Sequence, residues 1–358
     1  MLTFFHRIRK RQAMVCLFMQ SILLIWVFSS VLLAGEWKEE AEKQADEKEK
    51  EPSQVYQVDV DGSLLSYTNC LEHVLPLLEH SSNKRIYPES VPKICIFLDY
   101  HSAPGLAPSP NLLDALLAYL FKRGYDSKTV TLASFKEGVI GSNTSRPAAS
   151  YRGFPRISSG DAGYFHKEWW YDSPLPSSEH DRAKIFLQYP IQPEIRRDLE
   201  RRSDLPAGLF INDTHWINLA VAMDDPALGI YGATENITLG ACSNTARFLK
   251  DPTMANAAVT EILAIPEFWD KRLFSILDMN AFQFAGGSTF DAEFFRKAGK
   301  VLVGENPLAV DYHAIPYLAV QREKYGFSER KRAQLRLFRF GKELGLGDAG
   351  RSELITLP

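Results

Sequence analysis

Asp99, His101, His215, Asp278 and Asp311 are the residues of this chain best placed to do acid–base chemistry. Each follows or flanks a short apolar run. In a parallel sheet, ligand sites form beyond the carboxyl ends of the strands, so polar groups at those positions are candidates to converge. A histidine among carboxylates can exchange protons with a ligand or share a metal ion. Each candidate also has a simpler reading. Asp99 and Asp278 can cap helices or turns, and His215 can belong to an Asn212-Asp213 turn held by side-chain bonds to backbone. Asp311 can tie down a neighbouring loop as readily as act on a substrate.

A second set is acidic. Asp224 and Asp225 end an apolar run, and Glu235 lies ten residues beyond Asp225. Oxygen donors without nitrogen partners suit a hard divalent cation such as Mg²⁺, Ca²⁺ or Mn²⁺. Glu235 belongs to a glycine-rich stretch, residues 229–240, in which Gly232, Asn236 and Gly240 would let a ligand approach the backbone closely. The stretch could cradle a small molecule or an anion, although no lysine assists it.

The elements that must position these groups follow from hydrophobic patterning. Ile94-Cys95-Ile96-Phe97-Leu98 reads as a buried strand ending at Asp99. Leu112, Leu113, Leu116, Leu117 and Leu120 recur at helical spacing over residues 110–122. Further strands are expected at 129–133, 208–211, 217–221, 273–277, 301–304 and 354–357. Helices are expected at 192–202, 253–265 and 309–325, and a basic amphipathic helix at 329–344. This alternation predicts an α/β fold with a mainly parallel sheet and flanking helices. Residues 138–179 show no periodicity and contain Trp169-Trp170-Tyr171, a segment that could grip a ligand or partner.

The 358 residues carry a formal net charge of -3, so no basic excess points to nucleic acid. The charge is unevenly placed. Residues 1–12 hold Arg7, Arg9, Lys10 and Arg11 and no acid. Residues 13–35 are almost wholly apolar and long enough, at 1.5 Å per residue, to cross a bilayer core of about 30 Å. This predicts one N-terminal transmembrane helix with the basic flank in the cytoplasm. The domain is then expected on the extracytoplasmic side of the plasma (inner) membrane. A cleaved signal peptide is the competing reading, and it leaves the domain on the same side. Residues 36–54 form a charged spacer, and residues 55–358 the folded domain. Only four cysteines are present, without metal-ligand spacing, so no iron–sulfur cluster is expected. No G-x-G-x-x-G, P-loop, G-x-S-x-G or H-E-x-x-H motif occurs.

Several segments, taken in order, resemble the domain-of-unknown-function family 362 over residues 92–358. They are residues 93–133, 217–225, 232–240, 276–278, 305–311 (Glu305-Asn306-Pro307-Leu308-Ala309-Val310-Asp311) and 343–347. The resemblance implies the same architecture but no particular reaction. This chain departs from the family pattern at telling places. Met223 and Glu235 stand at two lysine positions, Asp225 at a histidine position, and Asn306 replaces the Asp before Pro307. The family's ferredoxin-type cysteines are absent. A site that used those lysines on an anion would here become acidic. Two functions are therefore expected from different classes. One is a metal-dependent enzyme or metal-binding domain, and the other is a non-catalytic binding module of the cell envelope. A structural envelope protein is the plainest third reading.

Overall fold

The computed structural model describes residues 52–136, 150–166, 168–173, 179–206 and 213–358. The expected membrane span at 13–35, its basic flank and the strand at 208–211 lie outside the described residues. Among those described, no helix is long and apolar enough to cross a membrane.

The domain opens with β1 (Gln54–Asp59), α1 (Leu64–Ser82), β2 (Lys93–Leu98), α2 (Pro110–Lys122) and β3 (Val130–Ser134). Four short strands and a helical hairpin follow: β4 (Ser150–Tyr151), β5 (Phe154–Ser158), β6 (Trp170–Asp172), α3 (Glu179–Gln188), α4 (Pro193–Arg201) and β7 (Arg202–Asp204). The second half contains β8 (Thr214–Met223), α5 (Ala233–Ile237), α6 (Pro252–Leu263), α7 (Pro266–Trp269) and β9 (Arg272–Gln283). It closes with β10 (Phe295–Arg296), β11 (Lys300–Gly304), α8 (Pro307–Lys324), α9 (Arg336–Glu343) and β12 (Glu353–Leu357).

Ten strands form one sheet in the order β12-β1-β11-β9-β8-β2-β3-β5-β4, with β10 paired to β9. β12, β1, β9, β8, β2, β3 and β5 run one way, and β11, β10 and β4 run against them. The mainly parallel α/β sheet expected from the sequence is therefore present. Side chains alternate across it with period two. Ile94, Ile96 and Leu98 join the core under α1 and α2, while Cys95 and Phe97 join the core under α5, α6, α8 and α9. The sheet is thus covered on both faces, which is why its central strands read as unbroken apolar runs.

Several elements go beyond the sequence expectation and one is shorter than expected. β1 and α1 precede the first expected strand. α1 buries Tyr67, Cys70, Leu71, Val74, Leu75 and Leu78 along one stripe, and Ser63 caps it by accepting from the Ser66 amide. The basic helix expected at 329–344 is broken. A single 3-10 turn at Arg332–Gln334 precedes the shorter α9. The reason lies in Arg330, whose guanidinium is drawn into the protein to meet Asp224.

Candidate functional site

β2 and β8 are adjacent parallel strands, and both end at acidic residues. Asp99, one residue past β2, is fully buried. Its carboxylate accepts from the amides of His101 (3.2 Å) and Val221 (3.2 Å) and from the Tyr231 hydroxyl (3.4 Å). Burial raises its pKa to about 7, because these bonds only partly replace lost water. The His101 ring stacks on Tyr231 with centroids 5.1 Å apart. His101 is the exposed member of the group. The crowded surroundings, and Lys136 nearby, lower its pKa, while the charge of Asp225 opposes that shift.

Tyr231 pairs through its backbone with Met223, the last residue of β8, and so brings the glycine-rich stretch back over the strand ends. The stretch then turns into α5, all five residues of which are buried. Glu235 sits in its middle, only 4% exposed. Its Oε2 is buried and makes no hydrogen bond among the described residues. Burial pushes its pKa well above the usual carboxylate range, and the charges of Asp225, Asp99 and Asp311 add to the shift. Such a carboxyl gives up its proton less readily than an exposed one.

Asp311, on α8, takes the loop-tying role. Its two oxygens accept from the amides of Ala233 (2.7 Å) and Thr234 (2.8 Å), capping α5 from another helix. Burial raises its pKa to about 6. Gly232 is small because of this contact, since a Cβ there would stand 2.3 Å from Asp311 Oδ1. Gly240 is similarly constrained, since a Cβ on it would stand 2.7 Å from the Tyr231 hydroxyl oxygen. Asn236 donates to Asn218 Oδ1 (2.7 Å), and Asn218 donates to Ala233 O (2.6 Å) and Ser275 Oγ (3.2 Å). Gly232, Asn236 and Gly240 therefore shape and anchor the loop by contacts within the protein.

Three expected site residues are placed elsewhere. Asp278 lies on the opposite face of the sheet. It accepts from the Tyr67 hydroxyl (3.1 Å), the Asn280 amide (3.0 Å) and the Ser109 amide at the start of α2 (2.9 Å). The period-two alternation of β9 accounts for this, since Leu277 faces one core and Asp278 the other. His215 sits at the beginning of β8 opposite Ile94, beside Lys271. Nine residues of extended chain, about 30 Å, separate it from Asp224. Asp224 is held between two guanidiniums, Arg322 at 2.9 Å and Arg330 at 2.7 Å.

The expected metal set of Asp224, Asp225 and Glu235 is accordingly not assembled. Asp224 is neutralised by its arginines. One oxygen of Asp225 is engaged by the amides of Ala227 (2.8 Å) and Leu228 (2.7 Å). Among the described residues, no group of three His, Cys, Asp or Glu is arranged to hold a metal ion. The aromatic segment is not displayed for gripping either. Trp170 stacks under Arg202 (4.0 Å), and the half-buried Tyr171 bonds Glu261.

Sequence reasoning misses Tyr231, Asn218, Arg322 and Arg330. Tyr231 lies inside a stretch that stands out for its glycines, and Asn218 is a polar residue in an otherwise apolar strand, a signal that could have marked it. The partners of Asp224 come from 98 and 106 residues away, beyond the reach of local patterning.

The fold and these groups define a mostly parallel α/β protein with a buried acidic cluster at the sheet's carboxyl edge. No protein-family model matches the chain, and no curated protein matches it. Among solved structures it is similar to the crystal structure of a protein from Thermotoga maritima, at 12% identity and a TM-score of 0.42. The alignment covers 73% of this chain and 60% of that one, so this chain spans less than two thirds of its length.

Proposed function

We propose that this chain is a membrane-anchored, extracytoplasmic α/β protein that handles a small polar molecule by proton transfer. The observation that carries this reading is Glu235, a buried carboxyl whose Oε2 has no hydrogen-bond partner among the described residues. A neutral carboxylic acid in an apolar site is a hydrogen-bond donor and a proton store. Asp99, poised near neutrality, is the companion base, and Tyr231 lies between the influence of the two. His101 is the group a ligand meets, stacked on Tyr231 and reaching solvent. Asp225 and Asp99 disfavour an anion, so a neutral or cationic ligand fits better. The ordered resemblance to the domain-of-unknown-function family 362 supports the architecture, and the loss of its lysines supports the change of ligand charge.

A proton replaces the divalent cation in this reading, and the two are separable by experiment. Infrared difference spectra of the full-length protein at neutral pH are expected to show a protonated-carboxyl stretch that Glu235→Gln removes. If the stretch is missing, the reading fails. If Mg²⁺, Ca²⁺ or Mn²⁺ raises the melting temperature of the wild type but not of Glu235→Gln, the cluster is a metal site instead.

A further inference from the structure

Asp99, Tyr231 and Glu235 are all buried, so no ligand reaches Glu235 Oε2 while the loops around it stay where they are. Of these groups and their neighbours, only His101 reaches solvent. Something must move for the site to be used, and the elements around it are unequally held. Asp311 and Asn218 pin α5, and Tyr231 exchanges two backbone bonds with Met223. The loop after β2 is held by the Asp99 carboxylate on the His101 amide. Lys136 Nζ adds bonds to the carbonyls of His101 (3.4 Å) and Ala103 (3.3 Å). The connection from β9 to β10 differs. Among the described residues, no backbone–backbone hydrogen bond reaches residues 285–290. The buried Gln283 side chain holds it instead. Its Nε2 donates to Gly287 O (2.9 Å) and Thr289 O (2.9 Å), and its Oε1 accepts from the Asp291 amide (2.7 Å). Gly286 and Gly287 stand at the entry of the connection with φ of +92° and +81°, a left-handed pair that glycine adopts without strain.

The far end of this connection closes on the site. Phe290 packs on the small cluster of Leu106, Val221, Met223 and Tyr231, and so covers the tyrosine that bonds Asp99. Its ring also seats on the backbone of the facing loop, since a Cβ on Gly105 would stand 2.1 Å from Phe290 Cδ1. Gly105 is not left-handed, so the close approach of Phe290 is what its missing side chain serves. The Ser288 carbonyl accepts from the Ser102 hydroxyl (3.2 Å) and bonds the His101 ring. Two polar contacts and one half-buried ring make a weak latch, and a segment so held opens at a fraction of the cost of global unfolding. We propose that residues 286–290 are a gate over the Asp99–Tyr231–Glu235 site, hinged at Gly286–Gly287 and latched by Phe290 on Gly105. Lifting it exchanges the Nε2 bonds of Gln283 for bonds to water, while the Asp291 amide stays on Oε1 and marks the far hinge. A small neutral or cationic molecule enters in that state. The proposal rests on the proposed site for what the gate admits, and on these contacts for how it moves.

The test measures entry to the site with a thiol reagent. The full chain with Cys16→Ser carries a reporter at Glu235→Cys, or at Met223→Cys beneath Phe290 should the first variant not fold. Cys70, Cys95 and Cys242 are buried and serve as internal controls. Methyl methanethiosulfonate, small and uncharged, is added, and the modified peptides are followed by mass. The reporter is expected to react far more slowly than a thiol at exposed His73→Cys. It should react roughly tenfold faster in Phe290→Ala and in Gly105→Ala, with the three native cysteines unchanged. Gly105→Ala acts without altering the gate itself, because its methyl group displaces the ring. Hydroxyl-radical oxidation of Met223 and Tyr231, which needs no reporter, should rise in the same two variants. A reporter as fast as residue 73 behind the wild-type gate overturns the proposal. Equal rates with the wild-type gate and both variants overturn it, as does a rise shared by Cys95 and Cys242. The infrared spectrum of Glu235 tests the proton reading separately. Gated entry without a protonated-carboxyl stretch keeps the gate and removes the proton reading, and ungated entry with the stretch does the reverse.

Discussion

The Asp311 carboxylate occupies the space that a side chain at residue 232 would need: a Cβ on Gly232 would lie 2.3 Å from its Oδ1. The same carboxylate holds the first two amides of α5, so the glycine and the aspartate are one device that fixes where Glu235 sits. Gly232→Ala is expected to destabilise the protein by about 1–3 kcal/mol, because the oxygen it displaces is pinned by two amides and cannot swing away. Asp311→Ala should cost about 2–4 kcal/mol, since it strands two buried donors. Asp311→Asn should fall between wild type and Asp311→Ala, because its amide can accept through one oxygen only. Denaturant unfolding of the three variants checks the order.

Stability is expected to fall as pH rises from about 4 towards 8. The sign follows from the direction of the shifts. Asp99 moves up to about 7, Asp311 to about 6, and Glu235 well above its usual value, each mainly through burial. Between pH 4 and 7 the unfolded chain has released protons that the folded chain keeps. The stabilisation these groups provide is therefore complete below the unfolded pKa and is lost through the folded one. Asp99 alone, moved from 3.8 to about 7, accounts for up to ~4 kcal/mol. Glu235→Gln and Asp99→Asn should each flatten the profile. Unfolding free energies that rise over that range would reverse the assignment.

How much of this is legible in sequence depends on whether the cause is local. The strand ending at Asp99 and the leucine stripe of α2 follow from periodicity, and the structure keeps both. The glycine-rich stretch reads as a ligand cradle, yet its glycines answer to Asp311 and Tyr231 inside the protein. Asn306 shows the same limit. Its side chain caps α8 by accepting from the Leu308 amide (3.0 Å) and also donates to Leu346 O (2.7 Å), a bond no aspartate could make. Asn306 thus has a structural use that only the distant Leu346 discloses. Asp278 leaves the site because strand alternation governs the aspartate as strictly as the apolar residues beside it.

The Arg322–Asp224–Arg330 cluster makes a prediction that differs in kind. Breaking a buried ion pair from one side leaves an uncompensated charge. Arg322→Ala is expected to cost about 3–5 kcal/mol, since it removes the more buried partner and its bond to Phe284 O. Asp224→Ala should cost at least as much, because it leaves two guanidiniums facing one another. Raising the salt concentration should change neither value much, as buried pairs are poorly screened. A variant series in which Asp224→Ala matches wild type would show that the cluster is not needed for folding.

Asp278 and Asp225 separate a structural carboxylate from one at the site. The Tyr67 hydroxyl and the Ser109 amide hold Asp278 beneath α1 and α2, across the sheet from His101. Tyr67→Phe should therefore lower stability by ~1 kcal/mol and leave the titration of His101 where it was. Asp225 acts on His101 directly, its negative charge favouring the imidazolium. Asp225→Asn should shift the His101 titration further down, which ring-proton NMR against pH would follow, with His101→Asn identifying the resonance. If Tyr67→Phe moved that titration as far as Asp225→Asn, the two faces of the sheet would be coupled, and the site would extend through Asp278 after all.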